Sequence, residues 1–326
     1  MRVFSGIRPS GKLHIGNYLG AIKQWVELQE RHNCIYSIVD LHAITTPYDP
    51  ETFQETIKET AAAYLASGID PKESIFFLQS EVKEHLELTW FLNCIAPVGE
   101  LERMTQYKDK GANIKGSPRA GLLNYPILMA ADILTYKATL VPIGEDQQQH
   151  LELARDLARK FNHEFGEIFE EPESYIPKIG ARIMSLSNPE NKMSKSGSEK
   201  GYIGLFDSED KIRDKIMSAV TDSGEKIKYD PKKKAGVSNL LSIYSLFSEK
   251  KIKDLEKEFK NKNYGEFKKE LADLLVGCLK PFKEKKEELL SKEGYIDDVL
   301  DVGAQKASQE AIKTLKEVKE KMGLIR

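Results

Sequence analysis

Apolar residues in the first part of the chain gather into short, nearly continuous runs, separated by longer stretches with helical periodicity. Val3-Phe4-Ser5-Gly6-Ile7, Cys34-Ile35-Tyr36-Ser37-Ile38-Val39 and Ser74-Ile75-Phe76-Phe77-Leu78 predict three strands, in the pattern of parallel strands covered on both faces. Leu140-Val141-Pro142-Ile143 predicts a fourth, weakened by a proline with no N–H to give to a ladder. Between the runs, Ile15, Tyr18, Leu19, Ile22 and Val26 recur at the i, i+3, i+4 spacing of a helix. Residues 51–67 read as a second helix, entered after Asp49-Pro50 and closed by Gly68, and residues 147–161 as another. This alternation predicts an α/β fold with a doubly wound parallel, Rossmann-like sheet. In such sheets ligands bind where loops leave the carboxyl ends of the strands.

Past Phe206 the pattern changes. Ser208-Glu209-Asp210 has an N-cap residue followed by carboxylates that oppose a helix dipole. From there Lys, Glu and Leu recur at helical spacing, with a turn at Asn261-Lys262-Asn263-Tyr264-Gly265 and a last helix over 302–322. The chain therefore divides, as an expectation, into an α/β unit over 1–205, a helical unit over 206–295 and a C-terminal helix over 296–326 that packs back on the first unit.

Composition narrows the classes. The 326 residues suit two compact units rather than one small core. Charged residues make up 31% but cancel to a net −2, which does not suit a protein held to nucleic acid by unspecific phosphate attraction. A nucleic-acid partner would be gripped by shape and local contacts. No run approaches the ~18 to 20 uncharged apolar residues of a membrane span, and the N-terminus carries no signal-peptide core, so no membrane association is expected. Cys34, Cys94 and Cys278 stand far apart without a C-x-x-C pair, which supports neither a disulfide framework nor a metal site. The expected location is cytoplasmic.

The chemistry begins with a decoy. Gly6-Ile7-Arg8-Pro9-Ser10-Gly11-Lys12-Leu13 opens like a phosphate-binding loop, but Leu13 stands where that motif needs a magnesium-holding hydroxyl. Pro9 also removes one N–H from the phosphate nest. The stronger signal follows at His14-Ile15-Gly16-Asn17. There a turn after the first strand brings an imidazole and a carboxamide to a helix N-terminus, where dipole and free N–H groups favour phosphate. Gly16 lets backbone approach a nucleotide closely. A capping role for His14 remains open on these four residues alone. Far along the chain, Lys192-Met193-Ser194-Lys195-Ser196 sits in a polar stretch punctuated by Pro189 and Gly197. Two ammonium groups on such a loop can offset charge developing on a pyrophosphate leaving group.

Together these two segments resemble the paired signatures of class I aminoacyl-tRNA synthetases, the second in every residue. Further stretches are similar to the bacterial tryptophanyl-tRNA synthetase family: Phe4 to Gly11, Val39-Asp40-Leu41-His42-Ala43-Ile44-Thr45, Gly99-Glu100-Leu101-Glu102-Arg103-Met104-Thr105-Gln106, Leu128-Met129-Ala130-Ala131-Asp132-Ile133-Leu134, Gly144-Glu145-Asp146-Gln147 and Gly180-Ala181-Arg182-Ile183-Met184-Ser185-Leu186. They run collinearly through two-thirds of the chain, and Gly236-Val237-Ser238-Asn239-Leu240-Leu241 continues the likeness.

The resemblance implies ATP-dependent activation of L-tryptophan to its adenylate, with release of pyrophosphate and transfer to tRNA(Trp). It implies ATP with Mg2+ held mostly by the triphosphate, no side-chain metal site, and a homodimer. Lys192, Lys195, His14 and Asn17 would act in catalysis. ATP would meet Arg8, Pro9, Ser10, Gly16 and Asn17, then Gly144, Glu145 and Asp146 near the ribose, Ile183 at the adenine, and Lys192, Met193, Ser194, Lys195 and Ser196 on the phosphates. Lys108 and Lys110 are further pyrophosphate contacts. Tryptophan would lie among Phe4, Met129, Val141 and Ile143, with Asp132 accepting the indole N–H and Tyr125 and Gln147 holding the amino group. Asp132 otherwise fits an internal cap or ion pair, and His42 fits a substrate contact and a satisfied loop histidine equally. Arg8 departs from the family's commoner Gln, and His14 from its commoner Thr. A tyrosyl-tRNA synthetase shares both signatures, and a tRNA-binding paralogue without catalysis is the reading from another class.

Overall fold

In the computed structural model residues 1–9, 13–112, 119–144, 147–175, 183–195, 198–224 and 226–325 are described, the side chains of 109–112 excepted. Five strands form one sheet: β1 (Arg2–Ile7), β2 (Asn33–Ile38), β3 (Ser74–Leu78), β4 (Leu140–Pro142) and β5 (Glu173–Tyr175). They lie in the order β3-β2-β1-β4-β5, all parallel. This is the predicted doubly wound sheet, and the direction of winding reverses between β1 and β4. The crevice outside the carboxyl ends of those two strands is where such a sheet takes its ligand.

Side chains of the strands alternate between two cores. Val3, Ile7, Tyr36, Ile38, Phe76 and Leu78 fill one face; Phe4, Ile35, Phe77 and Val141 fill the other. The first core runs without a break into the helical region, through Leu240, Leu241, Phe267 and Leu275. The second is closed by the helices Glu84–Ile95, Ala120–Thr135 and Gln148–Phe165 and by the last helix, Tyr295–Lys321, through Ala304, Ala307, Ala311, Leu315 and Val318. That helix lies close on β3: a Cβ at Gly303 would fall 1.8 Å from the Phe76 carbonyl oxygen.

Helix ends follow the sequence signals. Asp49 caps Pro50–Ala66 through the Glu51 N–H, and Ser208 caps Glu209–Met217. Asn263 and Glu266 form a capping box at the start of Tyr264–Ser291, satisfying two otherwise orphan donors. Two features escaped the pattern. β5 has three residues, mostly exposed, and so no apolar signal. The helix after His14 passes through a π turn over Tyr18–Ile22. Ile143 falls outside the fourth strand, which ends at Pro142, where the missing N–H breaks the ladder least. Among the described residues no helix is long and apolar enough to cross a membrane.

Candidate active site

The first signature is built into the fold by backbone. Ile15 N–H donates to the Ile203 carbonyl at 3.0 Å and Leu205 N–H to the Leu13 carbonyl at 2.9 Å, with His14 opposite Gly204. His14 and Asn17 form a reciprocal cap: Asn17 N–H donates to His14 Nδ1 at 3.3 Å, and His14 N–H to Asn17 Oδ1 at 3.1 Å. With Nδ1 accepting, the proton of a neutral ring sits on Nε2, which is thereby a donor suited to a phosphate oxygen. Gly16 leaves room for that ring, since a Cβ there would come within 3.0 Å of it. The capping reading and the phosphate reading are thus compatible in one geometry.

Burial holds the His14 pKa down to about 4, and Lys195 and Lys192 add to the effect. The two signatures, 178 residues apart from His14 to Lys192 (192 minus 14), come together at Gly16 and Met193. An unfolded ring takes its proton as pH falls below about 6.5; the folded ring resists until about 4. Between these values the unfolded state holds more protons, so stability falls with pH over that window and no further below it. Ring titration by NMR should give a His14 midpoint near 4, and His14→Gln should flatten the acid-side loss of stability. A midpoint near 6.5 would contradict the burial argument.

The lysine segment hangs from a hairpin. Ser185 N–H donates to the Asn191 carbonyl at 2.8 Å and Met193 N–H to the Ile183 carbonyl at 2.9 Å, with Met184 opposite Lys192. Ile183 and Met193 are buried in the core shared with the helical region, so their side chains anchor the hairpin. Lys192 and Ser194 are exposed, whereas Lys195 is partly buried and its pKa is lowered by that burial. A Cβ on Gly16 would stand 3.8 Å from Met193 Cβ, which places the root of the loop against the first signature.

On the other side of the sheet, Tyr125, Met129 and Asp132 share a stripe of the Ala120–Thr135 helix. Asp132 is 1% exposed. Its Oδ1 accepts from Gln79 Nε2 at 2.6 Å and stands 2.6 Å from His85 Nδ1; its Oδ2 stands 2.7 Å from His42 Nε2. Burial raises the Asp132 pKa, but hydrogen bonds and charge from His42 and His85 outweigh it and hold the group at about 2. An ionised carboxylate has no proton to give, so both imidazoles donate. The other ring nitrogen of His85, Nε2, stands 2.7 Å from the Tyr136 hydroxyl. Among the described residues, three of the roughly four acceptor positions of the carboxylate are filled in this way, and the fourth lies on Oδ2, beside His42.

The apolar residues expected around an indole lie on one face. Phe4 and Val141 are inside the second core, Phe4 stacked on Tyr136 at 5.7 Å, while Met129 and Ile143 are partly exposed at its margin. The Tyr125 hydroxyl donates to Gln106 Oε1 at 2.9 Å and lies 2.8 Å from His150 Nε2. Gln147 leads into the Gln148–Phe165 helix, its N–H on the Gly144 carbonyl at 3.0 Å. Arg8 reaches the Ala43 carbonyl at 3.3 Å and the Thr46 hydroxyl. Arg8 and Pro9 line a cavity of about 260 Å³ with Thr46, Tyr48, Asp49 and Phe53. Ser10, Glu145, Asp146, Ser196 and the Lys110 side chain lie outside the described residues. Lys108 is exposed.

Sequence reasoning overlooked Gln79, His85 and Tyr136. Gln79 follows directly on β3, at the carboxyl edge where ligand loops start. His85 stands between Val82 and Leu88 at core-facing i, i+3 spacing. A polar residue on an apolar stripe was the available signal.

A family model described as tRNA synthetases class I (W and Y) matches residues 1–280. The chain is 54% identical over 323 residues to the tryptophan–tRNA ligase of Oceanobacillus iheyensis, covering 99% of this chain and 98% of that protein. It is 51% identical over 325 residues to the corresponding ligase of Bacillus subtilis, covering 99% and 97%. A crystal structure of tryptophanyl-tRNA synthetase from Campylobacter jejuni, complexed with ADP and tryptophan, superposes with a TM-score of 0.88 at 42% identity, covering 99% of this chain and 100% of that one. The chain belongs to the class I tRNA synthetases of the tryptophan and tyrosine group.

Proposed function

We infer that the chain is a tryptophan–tRNA ligase that forms AMP, and that the crevice at the ends of β1 and β4 is where it works. ATP enters as its Mg2+ complex, the ion carried on the triphosphate as part of the substrate. A carboxylate oxygen of tryptophan attacks the α-phosphorus; the new O–P bond forms as the bond to the β-phosphate bridging oxygen breaks, and pyrophosphate leaves with the electron pair. A ribose hydroxyl of the tRNA terminus then attacks the carbonyl carbon, losing its proton as AMP leaves. Neither step needs a protein nucleophile. The protein contributes alignment and charge stabilisation: His14 Nε2–H, Lys192 and Lys195 toward the phosphates, and Asp132 Oδ2 toward the indole N–H. The observation that carries this reading is the placing of the lysine segment against the first signature, where a Cβ on Gly16 would stand 3.8 Å from Met193 Cβ.

The tryptophan side rests on an acceptor-only group. A phenol both donates and accepts, whereas the position left on Asp132 takes a donor and nothing else. A site of this kind rejects an isostere lacking the donor by roughly 10⁴- to 10⁵-fold, which favours tryptophan over phenylalanine without editing. The test is amino-acid-dependent pyrophosphate exchange into ATP, run with each proteinogenic amino acid. Exchange with tyrosine alone would overturn the specificity, and exchange with none would favour a non-catalytic tRNA-binding paralogue.

The remaining parts of the proposal concern assembly. The helical region over 206–295 contacts the tRNA anticodon, with Lys232 and Lys233 exposed for backbone contact; Lys234 is committed to Asp222 at 2.7 Å and Tyr264 at 2.9 Å. The protein acts in the cytoplasm, in keeping with its unpaired Cys34, Cys94 and Cys278. It works as a homodimer. Support comes from exposed apolar side chains on the Glu84–Ile95 helix, where Leu86 and Trp90 are 50% and 67% exposed, and at Val98, 61% exposed, shortly after it in sequence, since apolar surface left open on this scale marks interfaces. Trp90→Glu should convert the dimer to monomer in sedimentation equilibrium. A dimer unchanged by that substitution would place the interface elsewhere.

A further inference from the structure

The segment Gly236-Val237-Ser238-Asn239-Leu240-Leu241 has no part in the mechanism above. It lies in the helix Ala235–Ser248, where Val237, Leu240 and Leu241 fill the core shared with the sheet. Gly236 lies so close to the Val220 carbonyl that a Cβ would fall 2.1 Å from its oxygen, and Ser238 Oγ accepts the Asp230 N–H at 2.8 Å. Asn239 does something different. It is 6% exposed, and its carboxamide takes both backbone groups of one residue: Met184 N–H donates to Asn239 Oδ1 at 2.9 Å, and Asn239 Nδ2 donates to the Met184 carbonyl at 2.8 Å.

Met184 is the residue opposite Lys192 in the hairpin that carries the lysine segment. The ladder bonds of that hairpin are made by the flanking residues, Ile183 and Ser185. The N–H and carbonyl of Met184 therefore face its other edge, where Asn239 stands in for a neighbouring strand. Removing the carboxamide would leave two part-buried backbone groups without the partner that ties this edge to the helical region, and the hairpin would be free to shift.

We propose that Asn239 is a positioning residue for the lysine loop, fixing the Met184 strand to the helical region and thereby setting where Lys192 and Lys195 stand beside His14. This rests on the reading that those lysines act on the triphosphate. Displacements near 1 Å at a reacting centre cost rate steeply. Asn239→Ala should therefore lower kcat for tryptophan-dependent pyrophosphate exchange by about tenfold or more, with KM for tryptophan changed less than about twofold.

Asn239→Asp supplies a readout that loss of folding would not. As a carboxylate the new side chain accepts the Met184 N–H but opposes the Met184 carbonyl; once protonated it both accepts and donates, as the carboxamide does. Its activity relative to the unmodified enzyme should recover as pH is lowered from about 8.5 to about 6, while the relative activity of Asn239→Ala stays flat. Rates are taken per folded active site, counted by the adenylate burst. In combination with Lys195→Ala, the Asn239→Ala loss should be less than multiplicative, because both act through one group. If Lys195→Ala alone leaves exchange unchanged, the reading beneath the proposal fails. If Lys195→Ala is slow but Asn239→Ala keeps kcat within about twofold, if the two losses multiply, or if Asn239→Asp shows no pH-dependent recovery, the proposal itself is overturned.

Discussion

Replacing Lys195 by alanine should slow tryptophan-dependent pyrophosphate exchange by about 10²- to 10³-fold in kcat, with KM for tryptophan within about twofold. The ammonium is partly buried, and burial lowers its pKa, so the folded protein holds this charge at a cost. A triphosphate brings negative charge to this ammonium, and the attraction grows as charge moves onto the departing pyrophosphate. Such a group acts more in the transition state than in the ground state, which lowers kcat when it is lost. Lys192 is exposed and solvated, so Lys192→Ala should lose less, on the order of tenfold. Neither side chain belongs to a core cluster, and thermal unfolding should be little changed. A raised KM for ATP with intact turnover would instead make Lys195 a ground-state contact.

The parts of this molecule that could be read in advance are those whose physics is local. β1, β2 and β3 announce themselves because strands covered on both faces must be apolar at nearly every position. β5, three residues long and largely exposed, offers nothing to see. The two signatures were legible for a related reason: a phosphate site is assembled from adjacent residues on one turn or one loop. The surroundings of Asp132 were not. Its partners Gln79, His85 and His42 are 53, 47 and 90 residues away in sequence, and they come together because the Glu84–Ile95 helix packs against the Ala120–Thr135 helix while Gln79 follows β3 and His42 lies in the short helix after β2. An acidic residue in an apolar run signals that something must compensate its charge, without saying what. Likewise, the change in residue pattern near Phe206 separates mixed from helical structure. It does not reveal that one core passes from the sheet through Leu240 and Phe267.

Those hidden partners sharpen what Asp132→Asn should do. Donors approach the carboxylate from both sides, Gln79 and His85 at Oδ1 and His42 at Oδ2. A carboxamide has one acceptor oxygen. If that oxygen turns to Gln79 and His85, its NH2 faces His42 and the indole N–H, donor against donor. If it turns the other way, the clash moves to Gln79 and His85. The first arrangement satisfies more protein groups, since His42 can change tautomer and accept, and it leaves the substrate without its acceptor. The expected loss in kcat/KM for tryptophan is about 10²- to 10³-fold, with KM for ATP nearly unchanged because His14 and the lysines are untouched. Stability should also fall. The Asp132 pKa of about 2 lies below the unfolded value of about 3.9, so the ionised group stabilises the fold above that value, and this contribution disappears as pH falls through the folded pKa. At neutral pH the variant should melt a few degrees lower. Because a weakened fold could lower both activities, the deciding measurement is a ratio within one enzyme: kcat/KM for tryptophan against its benzothiophene analogue, which has sulfur in place of the indole N–H. The unmodified enzyme should prefer tryptophan strongly and the variant only slightly. An undiminished preference would mean that the indole N–H is met by another acceptor, and that Asp132 serves the histidines alone.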